Sequence, residues 1–112
     1  MAKAALPELD VEKLRRFCER RVPEQARGQV RLEVSVKGKR VSIHERRVPF
    51  LGVGEWTSMP IAQLRYDGSG LWTLYFGDRN GGWTTYFDLA PAQPVDVIIN
   101  EIDTDPTSVF WG

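Results

Sequence analysis

Hydrophobic residues recur every three or four positions in the first part of the chain, between Leu6 and Pro23. This spacing puts them on one face of an amphipathic helix. The stripe consists of Val11, Leu14, Phe17, Cys18 and Val22. Pro7 or Asp10 would begin the helix, and Pro23 would end it. The pattern therefore predicts a first helix that buries this stripe, with Cys18 in it as a small apolar residue.

Strict alternation of apolar and polar residues follows over residues 29–36 and is typical of a strand with one buried face. A short turn would return the chain as a second strand, with Val36 opposite Val41 in the register that keeps the apolar residues together. This register also places Glu33 opposite His44 on the solvent face. We interpret that pair as surface electrostatics rather than acid-base catalysis.

Two glycines and two prolines interrupt the strands in residues 49–60, PFLGVGEWTSMP, and we expect a long ordered loop there. Phe50 and Trp56 in this loop would need apolar surroundings. Neither the lysine nor the helix pattern of a phosphate-binding loop follows the glycines, so we do not expect nucleotide binding by this loop.

Three short strands joined by glycine turns are predicted between Ile61 and Leu89. The dipeptide Asn80-Gly81 is typical of a two-residue type I′ turn, and this turn would pair Tyr75 with Tyr86. The face predicted to join the core carries Trp72, Leu74, Phe76, Trp83 and Phe87. The opposite face carries Gln63, Tyr75 and Tyr86 in one row and Arg65, Thr73 and Asp88 in the next. This second face is either simply solvated or a contact surface. A third alternative, a nucleic-acid base stacked on Tyr75 or Tyr86, is less favoured because no lysines lie nearby.

Helical spacing of apolar residues returns after Pro94 and predicts a second helix. Its stripe consists of Val95, Ile98, Ile99 and Ile102. Pro106 would prevent the helix from continuing. The aromatic pair Phe110-Trp111 follows, and we expect it to be ordered, either within the fold or at a contact between two copies of the chain.

These elements predict an α+β fold, in which an N-terminal and a C-terminal helix cover the apolar face of an antiparallel sheet of about five strands. The chain has 112 residues, and we expect a single domain over 1–112 with residues 1–6 as a flexible tail. One cysteine and one histidine do not supply a metal site, so no cofactor is predicted. The lack of a signal peptide or a membrane-length apolar stretch favours a cytoplasmic protein.

Charge is distributed unevenly along the chain although its net charge is zero. Residues 1–48 carry 13 lysines and arginines against 7 acids, a balance of +6, and residues 49–112 carry a balance of −6. Either the basic half meets an external anion, or the two halves face each other within the fold or in a homodimer, and we favour the second. The candidate anion contacts are Arg15, Arg16, Arg20, Arg21 and Arg31.

The sequence contains no recognisable nucleophile with an adjacent base, which makes an enzyme the least favoured function. Tyrosine and arginine are common in binding sites because they offer a large contact area. We therefore favour a non-enzymatic binding or regulatory module that acts through Gln63, Arg65, Tyr75 and Tyr86, with another protein or a second copy of the chain as its partner. The alternative is nucleic-acid binding through the basic first helix.

Several motifs between Arg46 and Gly112 carry a resemblance to a known family. They are RRVPF, EWTSMPIAQLRY, LWTLYFGDRNGGWTTYFD and EIDTDPTSVFWG. Together they resemble the small bacterial proteins of the DUF3024 family of domains of unknown function, over nearly the whole chain. The resemblance implies a small bacterial cytoplasmic protein without an assigned activity, and it carries over no catalytic residues.

Overall fold

Helix α1, Glu8–Arg21, forms from the first apolar stripe in the computed structural model, which describes residues 6–49 and 52–112. Its buried residues are Leu14, Phe17 and Cys18. Pro7 precedes the first turn, and its carbonyl accepts a hydrogen bond from the Val11 N–H at 3.1 Å. Pro7 therefore begins the helix. A short 3₁₀ helix, Glu24–Ala26, follows it.

Asp10 contacts the sheet instead of capping the helix. Its carboxylate accepts a hydrogen bond from the indole N–H of Trp72 at 2.9 Å, which ties the first turn of α1 to the core. Leu6 also packs partly against that core. The rest of the predicted flexible tail, residues 1–5, lies outside the described residues.

Strands β1, Val30–Lys37, and β2, Arg40–Arg47, form an antiparallel hairpin in the predicted register. Val36 lies opposite Val41, and Glu33 lies opposite His44. Gly38 occupies the left-handed region at φ 59°, which the tight turn between the strands requires. The predicted register is therefore confirmed. Its physical reason is that only this register keeps the apolar residues of both strands on one face.

Three further strands extend the hairpin into one antiparallel meander, with the spatial order β1-β2-β3-β4-β5. They are β3, Thr57–Tyr66, β4, Trp72–Gly77, and β5, Trp83–Thr85. Strand β3 begins before the predicted end of the loop, since Thr57–Pro60 pair with β2. The expected loop over residues 49–60 is therefore too long by four residues, and Phe50 lies outside the described residues.

The turn between β4 and β5 differs from the predicted two-residue turn. The Asp78 N–H donates to the Gly82 carbonyl at 3.0 Å, which leaves three loop residues, 79–81. Of these, Gly81 has a positive φ of 80°, whereas Asn80 does not. A type I′ turn needs a positive φ at both central residues, while one left-handed glycine at the end of a three-residue loop is typical of a type I turn with a bulge. The predicted register is wrong by one residue.

This shift turns the side chains of β5 to the opposite faces of the sheet. Trp83 lies opposite Gly77, and Thr85, not Tyr86, lies opposite Tyr75. Tyr86 is only 2% exposed and belongs to the core, while Phe87, predicted to be buried, is 68% exposed. The assignment of Trp83 and Phe87 to the core and of Tyr86 to the outer face was wrong, and that of Trp72 to the core is confirmed.

Helix α2, Val95–Thr104, covers the same face of the sheet as α1. Its buried residues are Val95, Ile98 and Ile102. Asp105 ends the helix in the left-handed conformation, and the chain then returns so that Phe110 is 4% exposed. The indole N–H of Trp111 donates to the Ile102 carbonyl at 2.7 Å. The expected α+β fold, with two helices on one face of a five-stranded sheet, is confirmed.

The basic and acidic parts of the chain meet between the two helices. Arg21 pairs with Asp103 at 2.8 Å, and Lys13 pairs with Asp96 at 3.1 Å. The expectation that the two halves face each other within the fold therefore holds for the helix layer. Neither helix of the described ranges is long and apolar enough to cross a bilayer.

Candidate functional site

The strand residues that point away from the helices form a second surface, which we term the open face. Both helices of the described part of the chain pack on the other side of the sheet. Because side chains alternate along a strand, the strand residues that lie between the inward-pointing ones point to the open face. Glu45, Arg47 and Thr57 are polar too, but they share the helix side with Leu32 and Val30. Its charged strand residues are Arg31, Glu33, Lys37, Arg40, Arg46 and Arg65. The open face therefore carries five cationic groups and one carboxylate.

The middle of the open face is a row of small polar residues and one tyrosine. Ser35, Ser42, Gln63, Tyr75 and Thr85 lie side by side across the five strands. Gln63 is only 4% exposed, and its amide N–H donates to the Ser42 hydroxyl at 3.0 Å. Its amide oxygen accepts a hydrogen bond from Arg65 Nε at 2.8 Å. Gln63 thus links neighbouring strands and orients Arg65.

Two arginines of this face stack on aromatic rings. The guanidinium carbon of Arg65 lies 3.8 Å from the ring centre of Tyr75, and that of Arg31 lies 4.7 Å from the ring centre of Trp56. Stacking of a guanidinium on an aromatic face is attractive and restricts the arginine side chain. Both cations are therefore held in place on the surface instead of sampling many rotamers.

The side chain of Trp83 extends across the sheet toward His44. Its ring centre is 5.9 Å from that of His44, although β5 and β2 are separated by two strands. Pro60 and Gly77 occupy the intervening positions of this row. Because Gly77 has no side chain, the indole can extend over β4 and β3 toward His44.

A concavity of about 480 Å³ lies beside this indole. Lys37 and Arg40 line one side of it, while Trp83 and His44 line the other, and Gln63 forms part of the floor. Three hydroxyl groups complete the lining, those of Ser35, Ser42 and Ser58. The arrangement combines cations, hydroxyl groups and an aromatic face in one shallow depression.

Glu33 is the one carboxylate among these strand positions, and it forms an ion pair with Arg46. Arg46 donates to its Oε2 at 2.8 Å. The Nε of Arg46 is buried and has no hydrogen-bond partner within the described ranges. The remaining cations, Lys37, Arg40, Arg31 and Arg65, form no ion pair with described acidic residues. Their charge is therefore available to a ligand.

The structure brings together three of the four residues predicted to form the binding face. Gln63, Arg65 and Tyr75 lie next to one another on the open face. Tyr86 does not, because the shifted register points it into the core. Its hydroxyl donates to Glu101 Oε2 at 2.7 Å and accepts from the Thr107 hydroxyl at 3.2 Å. Burial raises the pKa of Tyr86 to about 12.

The five predicted anion contacts are divided between the two sides of the sheet. Arg31 lies on the open face. The other four, Arg15, Arg16, Arg20 and Arg21, belong to α1. Arg16 pairs with Glu12 at 3.3 Å, and Arg21 both pairs with Asp103 and stacks on the Trp111 ring at 4.0 Å. Much of the basic charge of α1 is thus engaged within the helix layer.

Sequence reasoning did not assign five charged or aromatic residues of the open face to a binding site. They are Lys37, Arg40, His44, Arg46 and Trp83. His44 was predicted on the solvent face, opposite Glu33, but was interpreted only as part of the surface electrostatics. A signal for the basic residues existed, because the register that places Val36 opposite Val41 on the helix side necessarily turns Lys37 and Arg40 to the open face. The sequence pattern alone does not show that β2 pairs with β3, and this pairing is what joins the outward faces of the two strand groups. The face to which Trp83 points depends on the turn between β4 and β5, and the predicted register of that turn is wrong by one residue.

Two further observations concern the cysteine and the metal-binding side chains of the described residues. Burial raises the pKa of the Cys18 thiol to about 12, so the thiol stays protonated and unreactive at neutral pH. Residues 6–49 and 52–112 contain no group of three or more histidine, cysteine, aspartate or glutamate side chains placed to hold a metal ion.

Comparison with known proteins adds one finding to this geometry. No curated protein and no solved structure matches the chain. A family described as a domain of unknown function, DUF3024, matches residues 2–112. The match covers essentially the whole chain and agrees with the resemblance carried by its motifs. The chain therefore belongs to the DUF3024 family.

Proposed function

We propose that this chain is a non-enzymatic binding module that holds an anionic partner on the open face of its sheet. The observation that carries the proposal is the charge of the described strand residues on that face. They include five cationic groups and one carboxylate, and since that carboxylate pairs with Arg46, four cations remain without an ion pair among the described residues. The net charge of the chain is zero, so this charge is local to one surface. A local concentration of one sign attracts and orients a partner of the opposite sign.

The shape of the surface supports the proposal. A concave surface lined by one sign of charge focuses its field, which raises the local concentration of a charged ligand. The acidic residues of α2 lie on the other side of the sheet, where Asp96 and Asp103 pair with α1. Their field is therefore partly compensated before it reaches the open face.

Rigidity of the basic side chains supports it further. Arg65 is fixed by Gln63 and by the Tyr75 ring, and Arg31 stacks on Trp56. Ordering a long side chain on binding costs roughly 0.5 to 1.5 kcal/mol, and side chains that are already ordered avoid much of that cost. These residues therefore contribute more to affinity than flexible surface arginines would.

The alternative surface on α1 has less support. Arg16 and Arg21 form ion pairs within the helix layer, and Arg21 also stacks on Trp111. A polyanion that bound there would have to compete with Glu12 and Asp103. The open face offers more cations that are not engaged with carboxylates of the described chain.

The experiment compares charge reversal on the two surfaces. Lys37→Glu combined with Arg40→Glu changes the open face, and Arg15→Glu combined with Arg16→Glu changes α1 by the same charge. The probe is inorganic polyphosphate, titrated by calorimetry in about 50 mM salt, where phosphate contacts are strong. We expect the open-face variant to lose binding and the α1 variant to retain it. All four residues are exposed, and circular dichroism checks that both variants fold.

Two results would contradict the proposal. One is a wild-type chain that does not bind polyphosphate. The other is an α1 variant that loses as much affinity as the open-face variant, because the charge of the open face would then have no special role.

A further inference from the structure

We infer that the anionic partner is single-stranded nucleic acid, with phosphates at Lys37 and Arg40 and an unpaired base on Trp83. This inference rests on the proposed function and deepens it. Charge alone favours any polyanion. The aromatic and hydroxyl groups beside the charge, and the length of the basic surface, define the chemistry of the partner.

The concavity fits one nucleotide. Its volume, about 480 Å³, lies within the range typical of small-molecule sites. Lys37 and Arg40 line it together with Trp83 and His44, so that a phosphate and the base attached to it could be bound at the same time. A ligand consisting only of phosphate or carboxylate would have no group that could stack on the indole of Trp83.

The basic surface is longer than one nucleotide. Lys37 and Arg31 lie six residues apart on β1, which corresponds to roughly 20 Å at the rise of an antiparallel strand. On β2, Arg40 lies opposite Lys37 and Arg46 lies opposite Arg31. Arg65 lies beside Arg40 on β3. A free nucleotide would use only the part near the concavity, whereas a strand with several phosphates can contact the whole surface.

The aromatic groups favour unpaired bases over duplex. Trp83 lies diagonally from Tyr75, since Thr85 is opposite Tyr75 and two residues from Trp83. Diagonal neighbours in a sheet are roughly 7 to 8 Å apart, so two adjacent stacking positions are available. The second is the guanidinium of Arg65 above Tyr75, because bases stack on arginine planes as well as on rings. In a duplex the faces of the bases are covered by their neighbours and could not use either position.

The floor of the concavity indicates little sequence preference. Both polar atoms of the Gln63 amide are already engaged, with Ser42 and Arg65. The hydroxyl groups of Ser35, Ser42 and Ser58 can donate or accept, so they do not distinguish the edge of one base from that of another. Recognition by stacking and by phosphate contacts is tolerant of sequence.

The test measures fluorescence anisotropy of a labelled oligouridylate of about 12 nucleotides, within the site sizes of single-strand binding domains. An abasic strand of equal length keeps the phosphates and removes the bases, and a duplex keeps both but hides the base faces. We expect the wild-type chain to bind oligouridylate more tightly than either. Trp83→Ala should weaken oligouridylate binding about 5- to 150-fold, the effect of one lost stacking contact, and leave abasic binding unchanged.

Three variants complete the design. Phe87→Ala is the matched control, because Phe87 is an exposed aromatic residue four positions along the chain and outside the concavity. Trp83→Phe should retain most of the affinity, since it keeps an aromatic face. Lys37→Ala with Arg40→Ala should weaken both single strands and lower the slope of log K against log salt by about 1.4, the value for two phosphate contacts.

The outcomes separate the inference from the proposed function. Equal affinity for oligouridylate and the abasic strand, with no effect of Trp83→Ala, would overturn the inference and leave a general anion-binding face. Tighter binding of duplex or of polyphosphate than of oligouridylate would also overturn the inference. If no polyanion binds at all, both are wrong.

Discussion

A single hydroxyl group connects the sheet, the second helix and the carboxyl-terminal tail. Tyr86 donates to Glu101, accepts from Thr107, and its ring centre lies 5.2 Å from that of Phe110. The residue was expected on the solvent face, and its polar end is satisfied because these partners surround it. A buried hydroxyl group with two hydrogen-bond partners is typical of a structural residue. Tyr86 is therefore not part of the candidate site.

Replacement of Tyr86 by phenylalanine should change the pH dependence of stability. The folded pKa, about 12, lies above the ordinary value of 10, so the folded state keeps a proton that the unfolded state loses. The stability from this group is fully present below about pH 10 and is lost as the pH rises toward 12. We expect Tyr86→Phe to cost about 1.5 kcal/mol at pH 7, from the lost hydrogen bonds, and to lose less stability above pH 10 than the wild type. Denaturant titrations of both chains from neutral to alkaline pH measure this, and identical alkaline slopes would exclude it.

Gly77 is required at its position by the neighbouring strand. A Cβ atom there would lie 2.5 Å from the Pro60 carbonyl oxygen, closer than such atoms approach each other. We expect Gly77→Ala to destabilise the fold by about 1 to 3 kcal/mol, as other overpacking substitutions do. Gly28→Ala is the matched control, because no atom lies within 4 Å of the Cβ it would add. Guanidinium unfolding of the two variants compares them, and equal stabilities would contradict the close approach of β3 and β4.

At the scale of elements, the turn between β4 and β5 decides which side chains reach the open face. The carboxylate of Asp78 accepts hydrogen bonds from the Asn80 and Gly82 N–H groups, both at 2.9 Å, and so favours a three-residue loop. These hydrogen bonds, that of Gly82 first, hold the pKa of Asp78 below its ordinary value of 3.8. The dipeptide Asn80-Gly81 by itself favours the shorter turn, but the hydrogen bonds of the Asp78 carboxylate outweigh that preference.

Asp78→Ala should therefore destabilise the hairpin in a pH-dependent manner. A lowered folded pKa means that the contribution of Asp78 is present above pH 3.8 and is lost as the pH falls through the folded pKa. We expect the stability difference between wild type and Asp78→Ala to be constant near neutral pH and to shrink in acid. Thermal unfolding of both chains between pH 7 and pH 2.5 tests this, with the exposed Glu55→Ala as control. A difference that persists unchanged at the lowest pH would show that the carboxylate does not stabilise the turn.

The elements whose pattern had one solution were predicted well. In the β1-β2 hairpin a slip would have exposed the valines, and in both helices the apolar stripe ended at a proline or a turn signal. Strand β3 was predicted too short, because Thr57–Pro60 are mainly exposed and their pairing with β2 leaves no periodic signal. The candidate site was found only in part, since it requires the polar faces of β1 and β2 to be combined with those of β3 to β5.

At the scale of the whole molecule, the chain separates its charges although they sum to zero. Basic residues of α1 meet acidic residues of α2 in the helix layer, and basic residues of the strands remain on the open face. The division at residue 48 suggested that opposite charges would meet inside the fold, and for the helices this was right. Which cations would remain outside could not be derived from the count, because it depends on the alternation of strand side chains.

The carboxyl-terminal tail joins the two helices and the sheet into one core. Phe110 packs on Tyr86, and the Phe110 and Trp111 N–H groups donate to the Asp105 carboxylate at 3.2 and 2.9 Å. Trp111 also donates to Ile102 and lies under Arg21. These contacts lie within one chain. They form because the left-handed Asp105 both ends α2 and holds the returning backbone.

Deletion of residues 108–112 should therefore lower the stability of the folded chain. Loss of a large buried aromatic side chain such as Phe110 costs about 3 to 5 kcal/mol, which corresponds to a fall in melting temperature of at least roughly 10 °C for a domain of this size. Because the contacts are intramolecular, the fall should not depend on protein concentration, and light scattering should give the same mass per particle before and after deletion. Deletion of the exposed Gly112 alone is the control and should change neither quantity. A change from dimer to monomer would instead indicate tails exchanged between two copies, and a truncated chain with unchanged stability and mass would mean that the tail does not hold the core together.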